Sequence, residues 1–386
     1  MAKPIPYSCQ DISEADIAAV ADVLRAPFLT QGPAVPKFEE ELAALHGMRH
    51  GVAVSNATAG LHLACLALGA GPGMRVWTSP NSFVASANCA RYCGATVDFV
   101  DIDPATRNMS VEKLAQKLEQ AARDGSLPGI VIPVDFAGFP CDMKEMRDLA
   151  DRYGFRILSD SSHAVGASYH GAPIGRYADI SVFSFHPVKI ITTGEGGLCL
   201  TDDSDLAAFM SRARSHGITR DPAEMEGKPD GPWYYEQTSL GFNYRLTDIQ
   251  AALGSSQLTR LADRAARRYH LARRYDDALA GLPLLLPPRS NDRTSAHHLY
   301  VVEIDDKGTS RTRLEVFEHL RGDGVSPNVH YIPIHLQPDY RRMGFAAGDF
   351  PDSERYYRRA ISIPLFPTMT EEQQDQVIAS LTRALG

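Results

Sequence analysis

The sequence predicts an α/β protein: a large, mostly parallel sheet with helices on both faces, followed by a smaller α+β unit. Three observations carry this. From about residue 15 to residue 250, amphipathic stretches alternate with short runs of Val, Ile and Phe, the pattern of strands joined by crossover helices. Runs such as those over 180–185 and 198–201 are bounded by Pro and Gly, the pattern of buried strands. After one long helical stretch over about 246–279 the pattern changes. The expected division is a large domain over 1–252 and a small domain over 253–386, with the N-terminal segment free to pack on the small one.

In chain order the runs expected as strands are HGVAVSN, MRVWTSP, ATVDFVDI, GIVIPVDF, FRILSD, ISVFSF and GGLCLTD. Stretches such as SVEKLAQKLEQAARDG and DMKEMRDLADRYG separate them, with apolar residues three and four apart as on one helix face. The segment RDPAEMEGKPDGPWYYEQTSLGFNYR then interrupts the alternation; rich in Gly, Pro, aromatics and charge, it reads as a working loop. HHLYVVEI, VSPNVHYIPI and a closing helix, TEEQQDQVIASLTRAL, make up the smaller unit.

Hydrophobic content of 44% and charged content of 22% suit a globular enzyme with a sizeable core. A net charge of −8 supplies no basic surface, so neither nucleic acid nor an anionic membrane is an expected partner. MAKPIPYSCQDISEADIAAV has no apolar run after its lysine, so no signal peptide is expected, nor any membrane span, and the expected location is cytoplasmic. The six cysteines are scattered and none forms C-x-x-C, so reduced thiols are expected and neither a zinc site nor any other metal site.

One residue breaks the apolar pattern. In ISVFSFHPVKIITTGEGGLCLTDD, Lys189 stands between two strands, flanked by Val188, Ile190 and Ile191. Three other features lie at strand ends of the same sheet. A helix starts near Ala57 after Ser55 and Asn56, so its exposed amides and the Thr58 hydroxyl offer a phosphate site. Asp160 closes FRILSD, with His163 three residues on, and Phe83 follows MRVWTSP. Taken singly, Thr58 reads as an N-cap, Asp160 as a turn former, His163 as a satisfied core histidine and Phe83 as core packing. Taken together they fall where open α/β sheets bind ligands. Pyridoxal phosphate needs this set: a lysine, an Asp for the pyridine nitrogen, a ring-stacking aromatic and a phosphate site. An apolar surround also lowers a lysine's pKa and gives the neutral amine that attacks the cofactor's aldehyde.

With these motifs in this order, the chain resembles the sugar aminotransferases of the DegT/DnrJ/EryC1/StrS family. The resemblance runs from FLTQGPAVPKFEEELAALHG through NATAGLHLA, SPNSFVASANC, SFHPVKIITTGEGG and LGFNYRLTDIQAALG to ISIPLFPTMTEEQ. It implies the fold of fold-type I pyridoxal 5'-phosphate transferases, an αβα sandwich with a smaller C-terminal domain. It also implies roles. Lys189 would bind the cofactor covalently and carry protons, Asp160 would pair with the pyridinium nitrogen, and His163 would lie near the phenolate oxygen. Phe83 would stack on the ring, while Ala57, Thr58 and Ser184 would hold the phosphate. Asn243 would reach the partner's phosphate across a homodimer with shared active sites.

The chain departs from the family pattern at Ser159, Ile190 and Asp135, where many members have Glu, Asn and His. None of these removes a catalytic group. SFHPVK, CARYCGATVDFVDIDPATRNMSV, PVDFAGFPCDM and VHYIPIHLQPDY resemble a subgroup, the transaminases of pseudaminic acid biosynthesis. That implies L-glutamate as donor, a UDP-linked 4-keto-6-deoxy-N-acetylhexosamine as acceptor and UDP-4-amino-4,6-dideoxy-N-acetyl-β-L-altrosamine as product. Arg245 is a candidate for the glutamate carboxylate or else an interface salt bridge; His330, Tyr331 and His335 either line the sugar site or pack the small domain. The rival readings are a transaminase for an aminoarabinose, perosamine or bacillosamine precursor, a dehydratase, and a non-enzymatic regulator. Lys189 opposes the dehydratase, whose relatives carry histidine there, and a regulator has no need of the complete cofactor set.

Overall fold

The computed structural model describes residues 4–386. All seven runs expected as strands join one sheet: β1 (His50–Val54), β2 (Arg75–Thr78), β3 (Thr96–Phe99), β4 (Ile130–Ile132), β5 (Arg156–Asp160), β6 (Ile180–Ser184) and β7 (Gly197–Thr201). Their order is β1-β7-β6-β5-β4-β2-β3. β7 runs antiparallel to both neighbours and every other pair is parallel. The carboxyl ends of β1, β2, β4, β5 and β6 therefore share one edge.

Side chains alternate between the two faces because successive residues of a strand point opposite ways. Trp77, Val131, Ile157, Phe183 and Leu198 join one apolar core; Val76, Ile130, Leu158, Val182 and Cys199 join the other. A sheet buried on both sides needs strands that are apolar throughout, and β6 and β7 are buried at every position. The helices present matching stripes. Val111–Asp124 buries Leu114, Leu118 and Ala121, four and three residues apart. It begins where the Ser110 side chain accepts from Lys113 N–H and ends at Gly125 in the left-handed conformation. The outcome is the αβα sandwich.

The smaller unit is built on a three-stranded antiparallel sheet of Leu284–Leu285, Tyr300–Ile304 and Ala360–Ile363. Leu271, Tyr275, Val302 and Leu381 fill its core, and Ile5 joins them through a parallel bridge to Val325. The N-terminal segment thus packs on the small unit.

The stretch 246–279 is two helices, Asp248–Leu258 and Leu261–Leu279, where the sequence suggested one. Two side chains account for the break. Thr259 Oγ1 donates back to Ser256 O at 2.7 Å, and Arg260 Nη2 reaches Asp16 Oδ2 at 2.7 Å. The first helix packs against helices Glu14–Arg25 and Ala34–His46, while the second shares the small unit's core. The 252/253 division expected from sequence therefore falls inside a helix. Among the described residues, no helix is long and apolar enough to cross a membrane. All six cysteines are free.

Candidate active site

At the shared strand edge lies a cavity of about 670 Å³ lined by Lys189, Asp160, Ser184, Thr58, His163 and Phe83, among others. Its floor is the N-terminus of Ala57–Ala67. Asn56 caps that helix by accepting from Ala59 N–H at 2.9 Å, and Gly60 N–H bonds Asn56 O. The amides of Ala57 and Thr58 precede the first intrahelical bond and form the positive end of the helix dipole. Ser184, at the end of β6, faces the same cavity. Gly197 makes this approach possible: a Cβ there would lie 2.7 Å from Ala57 N. Donors and space fit a phosphate.

Lys189 follows β6 and opens into the cavity, with Ile190 and Ile191 buried behind it. Burial pulls its ammonium down from the ordinary value of 10.5 to about 8, and the negative charge of Asp160 opposes that pull. A usable fraction of free amine follows near neutral pH. Asp160 is 5% exposed, at the end of β5. Its Oδ2 accepts from Ser86 Oγ at 2.6 Å and its Oδ1 from Ser162 N–H at 3.2 Å. An oriented carboxylate, a lysine with its pKa lowered to about 8 and a phosphate cradle in one cavity fit pyridoxal phosphate.

His163 forms one side of the cavity. Its Nδ1 accepts from Ala137 N–H at 3.3 Å, so the ring hydrogen sits on Nε2 and is donated to Tyr331 Oη at 3.2 Å. Tyr331 comes from the small unit and stacks at 23° to the His163 ring. Phe83 tilts against Tyr331 and keeps a face open, 58% exposed. His330 Nδ1 bonds Ser362 Oγ at 2.7 Å. Burial first, and then the charge of Lys189, push the His163 ring well below its usual pKa and that of His330 down to about 4. Both imidazoles are neutral at working pH.

Three expected residues lie outside this cavity. His335 is fully buried, with Nε2 3.0 Å from Glu354 Oε1 and its ring against Phe350, so it packs the interior. Arg245 donates to Ser215 Oγ at 3.0 Å and lines a separate hollow beside Gln31 and Arg214. Asn243 is exposed to solvent. Its loop is nevertheless tied to the phosphate end of the site, since Ser55 N–H bonds Tyr244 O at 2.7 Å.

Several lining residues escaped the sequence reading. His298 sits 4.4 Å from His163, ring to ring, and Tyr7 packs on His330. His186 and Glu195 face each other at 4.0 Å on the Lys189 loop. Ser86 lies behind Asp160. A signal existed only for His186, which stands three residues before Lys189 in SFHPVK.

The model of the DegT/DnrJ/EryC1/StrS aminotransferase family matches residues 10–382. The chain is 38% identical over 380 residues to the spore coat polysaccharide biosynthesis protein SpsC of Bacillus subtilis, covering 98% of this chain and 96% of that one. Among solved structures it is similar to Helicobacter pylori PseC, an aminotransferase involved in the biosynthesis of pseudoaminic acid. The TM-score is 0.91, at 30% identity and 99% coverage of both chains. It is also similar to the putative sugar aminotransferase Spr1654 of Streptococcus pneumoniae in its PMP form, with a TM-score of 0.89 at 30% identity and 98% coverage of both chains. The same protein is also solved in a PLP form. A family match across nearly the whole chain, together with these structural neighbours, leads to one conclusion: this chain belongs to the DegT/DnrJ/EryC1/StrS aminotransferase family and is a pyridoxal-phosphate-dependent sugar aminotransferase.

Proposed function

We propose that the chain moves the amino group of L-glutamate to C4 of UDP-2-acetamido-2,6-dideoxy-β-L-arabino-hexos-4-ulose, giving UDP-4-amino-4,6-dideoxy-N-acetyl-β-L-altrosamine. The observation that carries the reaction type is the pairing, in one cavity, of a lysine of pKa about 8 with the oriented carboxylate of Asp160. Pyridoxal phosphate, when bound, supplies the electron sink and carries the amino group between donor and acceptor. The protein does the rest. Ala57, Thr58 and Ser184 would hold the phosphate, Asp160 would keep the pyridine nitrogen protonated, and Phe83 would stack on the ring. His163, donating toward Tyr331, borders the phenolate side. Lys189 Nζ takes a proton from one substrate carbon and returns one to the other.

The acceptor is supported by the similarity to PseC and by VHYIPI, which brings His330 and Tyr331 to the cavity. A second acceptor of the same class, another nucleotide-linked 4-keto-6-deoxy sugar, is favoured by the higher identity to SpsC, named for spore coat polysaccharide. Purified protein with pyridoxal phosphate, glutamate and a panel of such sugars separates them. The L-arabino 4-keto epimer is expected to exceed the D-xylo epimer in kcat/KM by roughly tenfold to a few hundredfold, the effect of one buried group left unpaired. A preference for the D-xylo sugar keeps the transaminase and discards the pseudaminic assignment.

The active enzyme is read as a homodimer whose sites are shared. Among the described residues, Lys189 is the only lysine or arginine lining the cavity, yet glutamate brings two carboxylates and the acceptor a diphosphate. Asn243 and Arg245 sit on a loop beside the site but outside it, and Phe28, Trp233 and Leu240 expose apolar surface. Mixing Lys189→Ala protein with Asn243→Ala protein is expected to restore activity, because one site of each mixed dimer keeps both groups. Subunits that exchange without any recovery would refute the shared site.

A further inference from the structure

We infer that Ser86 is a positioning residue for the reaction, holding the Asp160 carboxylate in place as the inner member of a two-hydroxyl relay that begins at Ser82 on the cavity wall. The inference rests on the role given above to Asp160. Ser86 Oγ lies 2.6 Å from Asp160 Oδ2, and Ser82 Oγ lies 2.7 Å from Ser86 Oγ. Ser86 is fully buried, and Ser82 is 3% exposed and lines the cavity. An ionised carboxylate only accepts, so the Ser86 hydrogen goes to Asp160 and the Ser82 hydrogen goes to Ser86. The direction of the whole chain is thereby fixed.

Its position in the fold argues against a local role. Ser86 stands in the first turn of helix Ala85–Tyr92, where a serine hydroxyl usually serves its own backbone. Here the helix has no side-chain cap, and the hydroxyl crosses to the end of β5. Ser162 N–H holds the other oxygen, so Asp160 has one protein donor on each side. The same turn carries Phe83, whose carbonyl accepts from Ser86 N–H at 3.2 Å. One short turn therefore sets both the ring wall and the carboxylate.

A carboxylate that loses a donor competes harder for the proton it should leave on the pyridine nitrogen. With the cofactor bound, Lys189 Nζ would then lose less charge to the ring and hold its proton to higher pH. The test is a spectroscopic pH titration of the protein loaded with pyridoxal phosphate. Ser86→Ala should keep the visible band and raise its pH midpoint by roughly half to one unit. Turnover should fall by roughly three- to thirtyfold, with KM for the acceptor changed less than about twofold. Ser82→Ala should shift the midpoint the same way by less. In an Asp160→Asn background, Ser86→Ala should add no further shift. An unchanged midpoint in Ser86→Ala, or an equal shift in the Asn background, overturns the relay and leaves the cofactor site standing. A wild-type protein that never develops the band overturns the site reading, and the relay with it.

Discussion

Lys189→Ala protein is expected to fold, to bind pyridoxal phosphate non-covalently and to lose transamination. The amides of Ala57 and Thr58, Ser184 and Asp160 all remain, so the cofactor keeps its phosphate and ring contacts. The group that joins it and moves protons is gone. Proton transfer by a positioned side chain alone is worth roughly 10²–10⁴ in rate, so turnover should drop by at least about a thousandfold. Stability gives a second readout. Lys189 titrates near 8 in the folded chain against 10.5 ordinarily, so between those values the unfolded state holds the extra proton. Native stability therefore gains from this residue as pH rises from 8 to 10.5. Equilibrium unfolding of the cofactor-free proteins should show that gain in the wild type and not in the variant.

Asp160→Asn is expected to leave the fold intact and remove most activity. The amide fills the same space at the end of β5, but it carries no negative charge to keep the pyridine nitrogen protonated. Losing one preorganised charge at a reacting centre costs about 3 kcal/mol or more, on the order of a hundredfold in turnover. Cofactor binding should survive, because the phosphate end is untouched. Turnover near the wild-type value would mark Asp160 as a strand-end cap and nothing else.

The sheet was legible because each strand is a short Val, Ile or Phe run with its own stop signal, and both faces of the sheet are buried. Local pattern is sufficient for such strands. The helical stretch 246–279 misled for the opposite reason. Its helical periodicity continues across Thr259 and Arg260, and the break comes from Arg260 reaching Asp16, a contact 244 residues away in sequence. The site follows the same division. Asp160 and Ser184 close strands, Thr58 opens a helix and Lys189 lies on the short loop after β6, so sequence position implies place in space.

Nothing in FVASANC marks Ser86, and only its distance to Asp160 gives it meaning. Tyr7 and Ser8 are held beside the Lys189 loop by Ser8 Oγ donating to Val188 O at 3.1 Å, a pairing no local pattern encodes. For His335 the sequence left two readings open. Local pattern does not tell a histidine that lines a site from one that packs, and this one lies fully buried with Glu354 as its partner. Asn243 and Arg245 belong to a loop whose counterpart, in the reading given above, is a second copy of the chain.

Reductive trapping tests the central claim most directly. Protein loaded with pyridoxal phosphate is reduced with borohydride, digested and mapped by mass spectrometry. A single pyridoxyl label on the peptide containing Lys189 is the predicted result. Capture of the cofactor by the empty protein should also quicken as pH rises through about 8, where the amine becomes free. A stable label on any other lysine, with Lys189 recovered unmodified, would contradict the account.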